Sequence, residues 1–216
     1  MGKVRQFFRS VTEPIFASFS TTDIFQGIAY IDAYGTKNNT GANFIVITVA
    51  DYNSDPIQTV TSAVAVDTTF GKEVDIDFDL EITKSTTFDG QFFANIPTAI
   101  TPASQTAEWY SIVRIRKWDG STETEIVNAQ GVGSSTSTGT NKSHLDAVQV
   151  DFPRTRFQKG QTLRLTIEIW AKTTASTSNI EIYLGHDPIE RTSTVFPTDD
   201  HTSTQLRFRL PIKTSI

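Results

Sequence analysis

From Glu73 to Ile82 the chain alternates between acidic and apolar residues without a break. Val74, Ile76, Phe78, Leu80 and Ile82 fall in one register, and Glu73, Asp75, Asp77, Asp79 and Glu81 in the other. A helix, with its period of 3.6, would scatter both sets around its surface; a strand, with period 2, separates them onto two faces. One face must then be buried and the other polar, which antiparallel sheets accommodate.

The same period returns later in the chain. Leu163, Leu165, Ile167 and Ile169 alternate with Arg164, Thr166, Glu168 and Trp170. Ile180, Ile182 and Leu184 alternate with Glu181 and Tyr183, and Leu206, Phe208, Leu210 and Ile212 with Gln205, Arg207, Arg209 and Pro211. Weaker runs lie at 24–33, 43–50, 57–66, 89–95 and 146–152. These predict an all-β chain, an antiparallel two-sheet β-sandwich of about ten strands in the style of a jelly roll. The 216 residues suffice for one such body, without the metal or disulfide staples that small domains need. A single sandwich is expected over 15–216. Residues 1–14 are expected to form an arm or short helix, with Val4, Phe7, Phe8 and Val11 on one side and Arg5 elsewhere.

Trp118-Asp119-Gly120-Ser121 predicts a tight hairpin, because Asp-Gly suits a two-residue type I′ turn. That loop would set Arg116 against Glu123, Arg114 against Glu125 and Val113 against Ile126. Two polar stretches, 131–143 and 171–178, read as loops, the first mobile or ordered only by a partner.

Composition excludes several chemistries. The chain has no cysteine, which removes disulfides, thiolate metal sites and cysteine nucleophiles. A net charge of -5 argues against nucleic-acid binding, which calls for a basic patch. No stretch approaches the roughly 20 apolar residues of a membrane span. The first residues lack the apolar core of a signal peptide. Neither a nucleophile elbow nor a phosphate-cradling glycine loop occurs, so neither enzymatic activity nor a cofactor is expected.

Two metal arrangements are conceivable. Asp75, Asp77 and Asp79 share a strand face at a spacing of roughly 6.5–7 Å and offer oxygen ligands of the kind Ca²⁺ takes. The plainer reading is a solvated face whose charge is offset by arginines on neighbouring strands, with Arg164, Arg207 and Arg209 the candidates. His186-Asp187 and Asp199-Asp200-His201 would form a second metal site if they met. Gly185-His186-Asp187-Pro188 also reads simply as a turn after a strand. Trp170 and Tyr183 both fall on the polar side of their strands, where exposed aromatics mark a contact surface for protein or carbohydrate. With Arg5, Phe7 and Phe8 they are the interface candidates.

The second half of the chain contains Trp109-Tyr110-Ser111-Ile112-Val113-Arg114, the Trp118-Asp119-Gly120 turn, Glu123-Thr124-Glu125-Ile126, Phe157-Gln158-Lys159-Gly160-Gln161-Thr162-Leu163-Arg164-Leu165, Gly185-His186-Asp187-Pro188 and Leu210-Pro211-Ile212. Over residues 105–216 this resembles a loose group of β-sandwich structural proteins of bacterial and archaeal viruses and their proviruses. The resemblance implies a virion component assembled in the host cytoplasm, a capsid cement or decoration protein or a minor capsid protein. Its partners would be the major capsid protein or other virion proteins, and its own copies in a homo-oligomer such as a trimer. A tail or baseplate protein, or a receptor- or carbohydrate-binding module, is the alternative. The resemblance supplies no catalytic residues.

Overall fold

The computed structural model describes residues 27–38, 43–50, 59–64, 67–101, 106–136, 141–173, 180–191, 196 and 203–213. Arg5, Phe7, Phe8 and the proposed arm, together with His201, lie outside them. The described residues form strands and connecting turns, with no helix among them. In chain order the strands are β1 (Ile28–Lys37), β2 (Phe44–Ile47), β3 (Thr59–Val64), β4 (Asp67–Glu81), β5 (Thr86–Thr101), β6 (Ala107–Trp118), β7 (Glu123–Gln130), β8 (Ser134–Thr136), β9 (Lys142–Phe157), β10 (Thr162–Thr173), β11 (Ile180–Gly185) and β12 (Arg207–Lys213).

Hydrogen-bonded ladders join eight strands in the order β3-β11-β5-β12-β1-β2-β4, with β9 also on β5. Four more follow the order β10-β6-β7, with β8 also on β6. The chain is all-β as expected, but its pairing is mixed. β2 runs parallel to β4, with Phe44 beside Phe78 and Ile45 beside Asp79. The reason lies in the order of the chain. Between β2 and β4 the polypeptide leaves to place β3 on β11, and it returns beside β2 in the same direction, the crossover that a parallel pair requires.

On its other side β4 runs along β10. Ile82 N donates to Gln161 O and Gly160 N to Ile82 O, both at 2.8 Å. Asp79 meets Arg164 and Asp77 meets Thr166 two residues further on each strand. These contacts share one antiparallel register, so the acidic strand bridges the two groups.

Alternation decides what is buried. Leu163, Leu165, Ile167 and Ile169 of β10 are all 0% exposed, and Val74, Ile76, Phe78 and Ile82 are buried as predicted. They enter one apolar cluster with Phe92 and Ile96 of β5, Trp109 and Val113 of β6, Phe152 of β9 and Phe208 of β12. Phe88 stacks on Phe152 at 5.5 Å and meets Phe157 edge-on at 5.3 Å. Each such side chain contributes about 1.5–3 kcal/mol by leaving water.

The β6–β7 hairpin corrects the expected register. Trp118 pairs with Glu123 and Arg116 with Glu125, around the four-residue loop Asp119 to Thr122. The Asp119 carboxylate explains the longer loop: it accepts from Ser121 N at 2.9 Å, Ser121 Oγ at 2.9 Å and Thr122 N at 2.8 Å. A shift of two residues preserves the faces. A bulge follows, leaving Ile126 out of the ladder, so Val113 pairs with Ala129 rather than Ile126. The two polar stretches are also shorter as loops than expected: residues 134–136 form β8, and β10 continues to Thr173.

Candidate interaction face

The polar sides of β4, β10, β6 and β7 make one continuous outer face. Arg164 stands at its centre. Its Nε and Nη2 bind both oxygens of Asp79 at 2.8 and 2.9 Å, and its Nη1 reaches Glu123 at 2.9 Å and Asp77 at 3.4 Å. Arg114 holds Glu168 by a second two-point contact, Nε to Oε1 at 2.9 Å and Nη2 to Oε2 at 3.2 Å, and reaches Glu125 at 3.2 Å. Arg116 joins Glu123 at 3.3 Å. Lys72 pairs with Asp75 and lies 3.7 Å from Glu168. Paired fork contacts of this kind orient both partners.

The expected charge pairs Arg114–Glu125 and Arg116–Glu123 therefore exist, as diagonal contacts across the shifted register. Arg164 offsets the acidic strand as predicted. Arg207 and Arg209 do not: they pair with Asp32 on β1. Burial would raise the Glu168 carboxyl, but bonds from Arg114 and the Trp170 indole, with the charges of Arg114 and Lys72, hold it below the ordinary carboxylate range. Asp79 and the charges of Glu123 and Asp77 around it keep Arg164 ionised more firmly still.

Asp75, Asp77 and Asp79 line an open pocket of about 260 Å³ with Asn43, Phe44, Ile76 and Arg164. A guanidinium and an ammonium occupy the positions a cation would neutralise. Among the described residues no group of three His, Asp or Glu is placed to hold a metal ion.

An aromatic cluster closes one end of the face. Tyr110 and Trp170 pair directly across β6 and β10, with rings parallel to 2° and centroids 6.5 Å apart. Phe70 meets Tyr110 edge-on at 4.9 Å. Lys172 Nζ lies 4.6 Å from the Phe70 ring and 3.1 Å from Glu108. The Trp170 indole donates to Glu168 at 2.9 Å, tying the aromatic end to the ionic centre. Trp170 is thus on an outer face, as the alternation predicts. Tyr183 is not: it is 9% exposed, packed with Ala99 and Phe196. A covering residue far along the chain turned a polar-face position into a buried one. Phe70 and Lys172 were missed, although Lys172 shares the parity of Arg164 on its strand.

After β11 the chain turns at Asp187, with Glu190 N donating to Asp187 O at 3.2 Å. Asp187 is fully buried and accepts from Arg191 N at 2.8 Å and Arg191 Nε at 2.9 Å. His186 is 1% exposed and meets the rings of Phe44 and Phe78 at 5.3 and 6.1 Å. Burial pushes its imidazole down to about 4.

A further buried carboxylate went unnoticed in the sequence. Asp146 on β9 accepts from Ser111 N at 3.1 Å and Gly133 N at 2.9 Å, and His144 Nε2 lies 3.1 Å away. Burial would raise its carboxyl, and those three partners outweigh burial and hold it below the ordinary range. The result is a pinned Gly131-Val132-Gly133 turn that presents Val132 at 95% exposure.

No protein-family model matches the chain, and no curated protein matches it. Solved structures do. An aminopeptidase from a marine sediment Thaumarchaeota archaeon aligns over 88% of this chain and 37% of its own, with TM-score 0.53 and 8% identity. A CocE/NonD family hydrolase from Staphylococcus aureus aligns over 87% and 37%, with TM-score 0.46 and 12% identity. Infectious bursal disease virus, Gx strain, aligns over 80% and 40%, with TM-score 0.35 and 6% identity. The similarity to viral capsid and hydrolase structures is therefore weak. The chain spans well under half the length of each. At 8% identity the aminopeptidase match shows a shared fold and says nothing of activity.

Proposed function

We propose that this chain is a virion structural protein: a jelly-roll-like two-sheet sandwich that acts as a cement, decoration or minor capsid protein on a major capsid shell. The observation that carries the docking role is the outer face of β4, β10, β6 and β7. Its charged side chains already hold one another in two-point contacts before any partner arrives, so little side-chain freedom remains to be lost on association. Beside them sit the half-buried rings of Tyr110 and Trp170, the side-chain types that anchor protein interfaces. Placement in a virion rests on the resemblance of residues 105–216 to viral structural proteins. Self-association around a symmetry axis, as a trimer, belongs to the same reading.

The test is to mix the protein with empty shells of the parent virus and sediment them. Saturable uptake at a fixed ratio is expected, weakening in high salt because exposed charges are screened. A Trp170→Ala, Arg116→Glu double variant should lose most of the uptake while keeping its fold. Shells that take up none of the native protein overturn the capsid role, and binding to isolated tails or baseplates would put it there instead.

A further inference from the structure

A pocket of about 360 Å³ opens on a different surface, the outer side of β5, β12 and β1, lined by Asp32, Phe93, Asn95, Arg207, Phe208 and Arg209. Register puts these groups together: Arg207 stands opposite Asn95 on β5, and Arg209 lies between Phe93 on β5 and Asp32 on β1. Beyond Arg209 the β5–β12 ladder breaks in a register shift, and such irregularities open local concavities and re-aim side chains.

The charge here is unbalanced. One carboxylate, Asp32, serves two guanidiniums, with Arg207 Nη2 at 2.8 Å and Arg209 Nε at 3.5 Å. Each guanidinium has five N–H donors in a planar fork, and among the described residues no further acceptor binds either one. Both side chains are about half exposed, at 44% and 45%, yet both are held: Arg207 by Asp32, and Arg209 by Asp32 and by the Tyr30 ring 5.4 Å away. Phe93, 6.3 Å from Tyr30, supplies an apolar wall, and Asn95 an amide that can both donate and accept.

We propose that this pocket binds a carboxylated sugar, with the carboxylate on the Arg207–Arg209 pair, the ring against Phe93 and a hydroxyl on Asn95. The surplus positive charge selects an anion. A planar fork suits a carboxylate. The aromatic wall and the amide call for a ligand with an apolar ring face and hydroxyl edges, which a bare inorganic anion lacks. The volume falls at the small end of ligand sites, about 300–1,000 Å³, and so fits one sugar residue.

The site is independent of the capsid-docking face, and the test keeps them apart. Glucuronate, glucose, inorganic phosphate and an oligo-aspartate peptide are each titrated into the full chain by calorimetry. Glucuronate is expected to bind saturably and at least tenfold more tightly than the other three. Arg209→Ala and Arg207→Ala should each weaken it at least tenfold, Arg209→Lys by less than Arg209→Ala, and Trp170→Ala not at all; unchanged melting temperatures confirm that the variants fold. Phosphate binding as tightly as glucuronate reduces the pocket to a simple anion site and overturns the proposal. So do preference for the peptide, equal binding of glucose, or no saturable binding of glucuronate.

Discussion

Arg114 on β6 grips Glu168 on β10 at two points, 2.9 and 3.2 Å, across the centre of the outer sheet face, with the Glu168 side chain only 4% exposed. Their strand positions are not directly opposite: Arg114 pairs with Thr166, and Glu168 with Ile112. The contact is a diagonal one, within reach of long side chains. Glu168 also accepts the Trp170 indole, so this carboxylate couples charge and aromatic stack.

Glu168→Gln leaves Arg114 facing a neutral amide. Hydrogen bonds to charged groups are worth about 1.5–3 kcal/mol, and a loss of that order is expected in urea unfolding at pH 7. An unchanged midpoint would show that the pair orients the face without stabilising it.

Asp146 makes stability fall in acid. Its folded carboxyl titrates below the ordinary value of 3.8, so the unfolded chain takes up the proton more readily than the native one. The stabilisation is fully present above the unfolded value and is lost as pH falls through the folded one. Asp146→Asn should lower stability at pH 7 and should flatten the decline below about pH 4 relative to the native chain, measured by urea midpoints at pH 7, 4 and 3.

His186 acts in a higher window. Its folded value of about 4 lies below the ordinary 6.5, so between those limits the unfolded chain binds a proton that the native chain refuses. Stability then falls as pH drops from 6.5 to 4, by on the order of 3 kcal/mol in all. His186→Phe, placed against Phe44 and Phe78, should remove that slope between pH 6.5 and 4 while leaving the Asp146 component at lower pH, which a series of thermal melts from pH 7 to about pH 3 would separate.

Two glycines with positive φ should respond differently to alanine. Gly160 has φ +86° and open space around the missing Cβ, so Gly160→Ala costs only backbone strain, about 1–2 kcal/mol. Gly133 has φ +76°, and a Cβ there would sit 2.4 Å from the Trp109 carbonyl oxygen. Gly133→Ala adds a backbone clash to the same strain and displaces the bond to Asp146. Its loss should exceed that of Gly160→Ala by about 1–3 kcal/mol, read from paired denaturation curves.

Much of the fold was legible because period-2 patterning acts within each strand. The β10 run has its apolar set buried, and so do the acidic strand and the last strand except for Leu80 and Ile212, which are partly buried against the core. The Asp-Gly turn was placed in the right position but given the wrong length, because the Asp119 side chain closes the loop and no pattern of apolar residues reports that contact. The acid-bearing face was recognised with one of its three arginine-bearing partners in the right place and two in the wrong one. Arg207 and Arg209 fall on the polar side of their strand just as Arg164 does on its own, but they lie on a strand paired with β1 and β5.

Alternation within the chain determined that this protein is made of strands, which side of most of them faces inward, and where charge is displayed. It did so because burying an apolar side chain is a local demand that every strand meets with its own residues. Which strand lies beside which was decided only by tertiary pairing: the parallel entry of β4 next to β2, the burial of Tyr183 under Phe196, the Arg pair on Asp32 and the enclosure of Asp146. Each of these depends on partners far apart in sequence, and the period of a single strand contains no information about its neighbour.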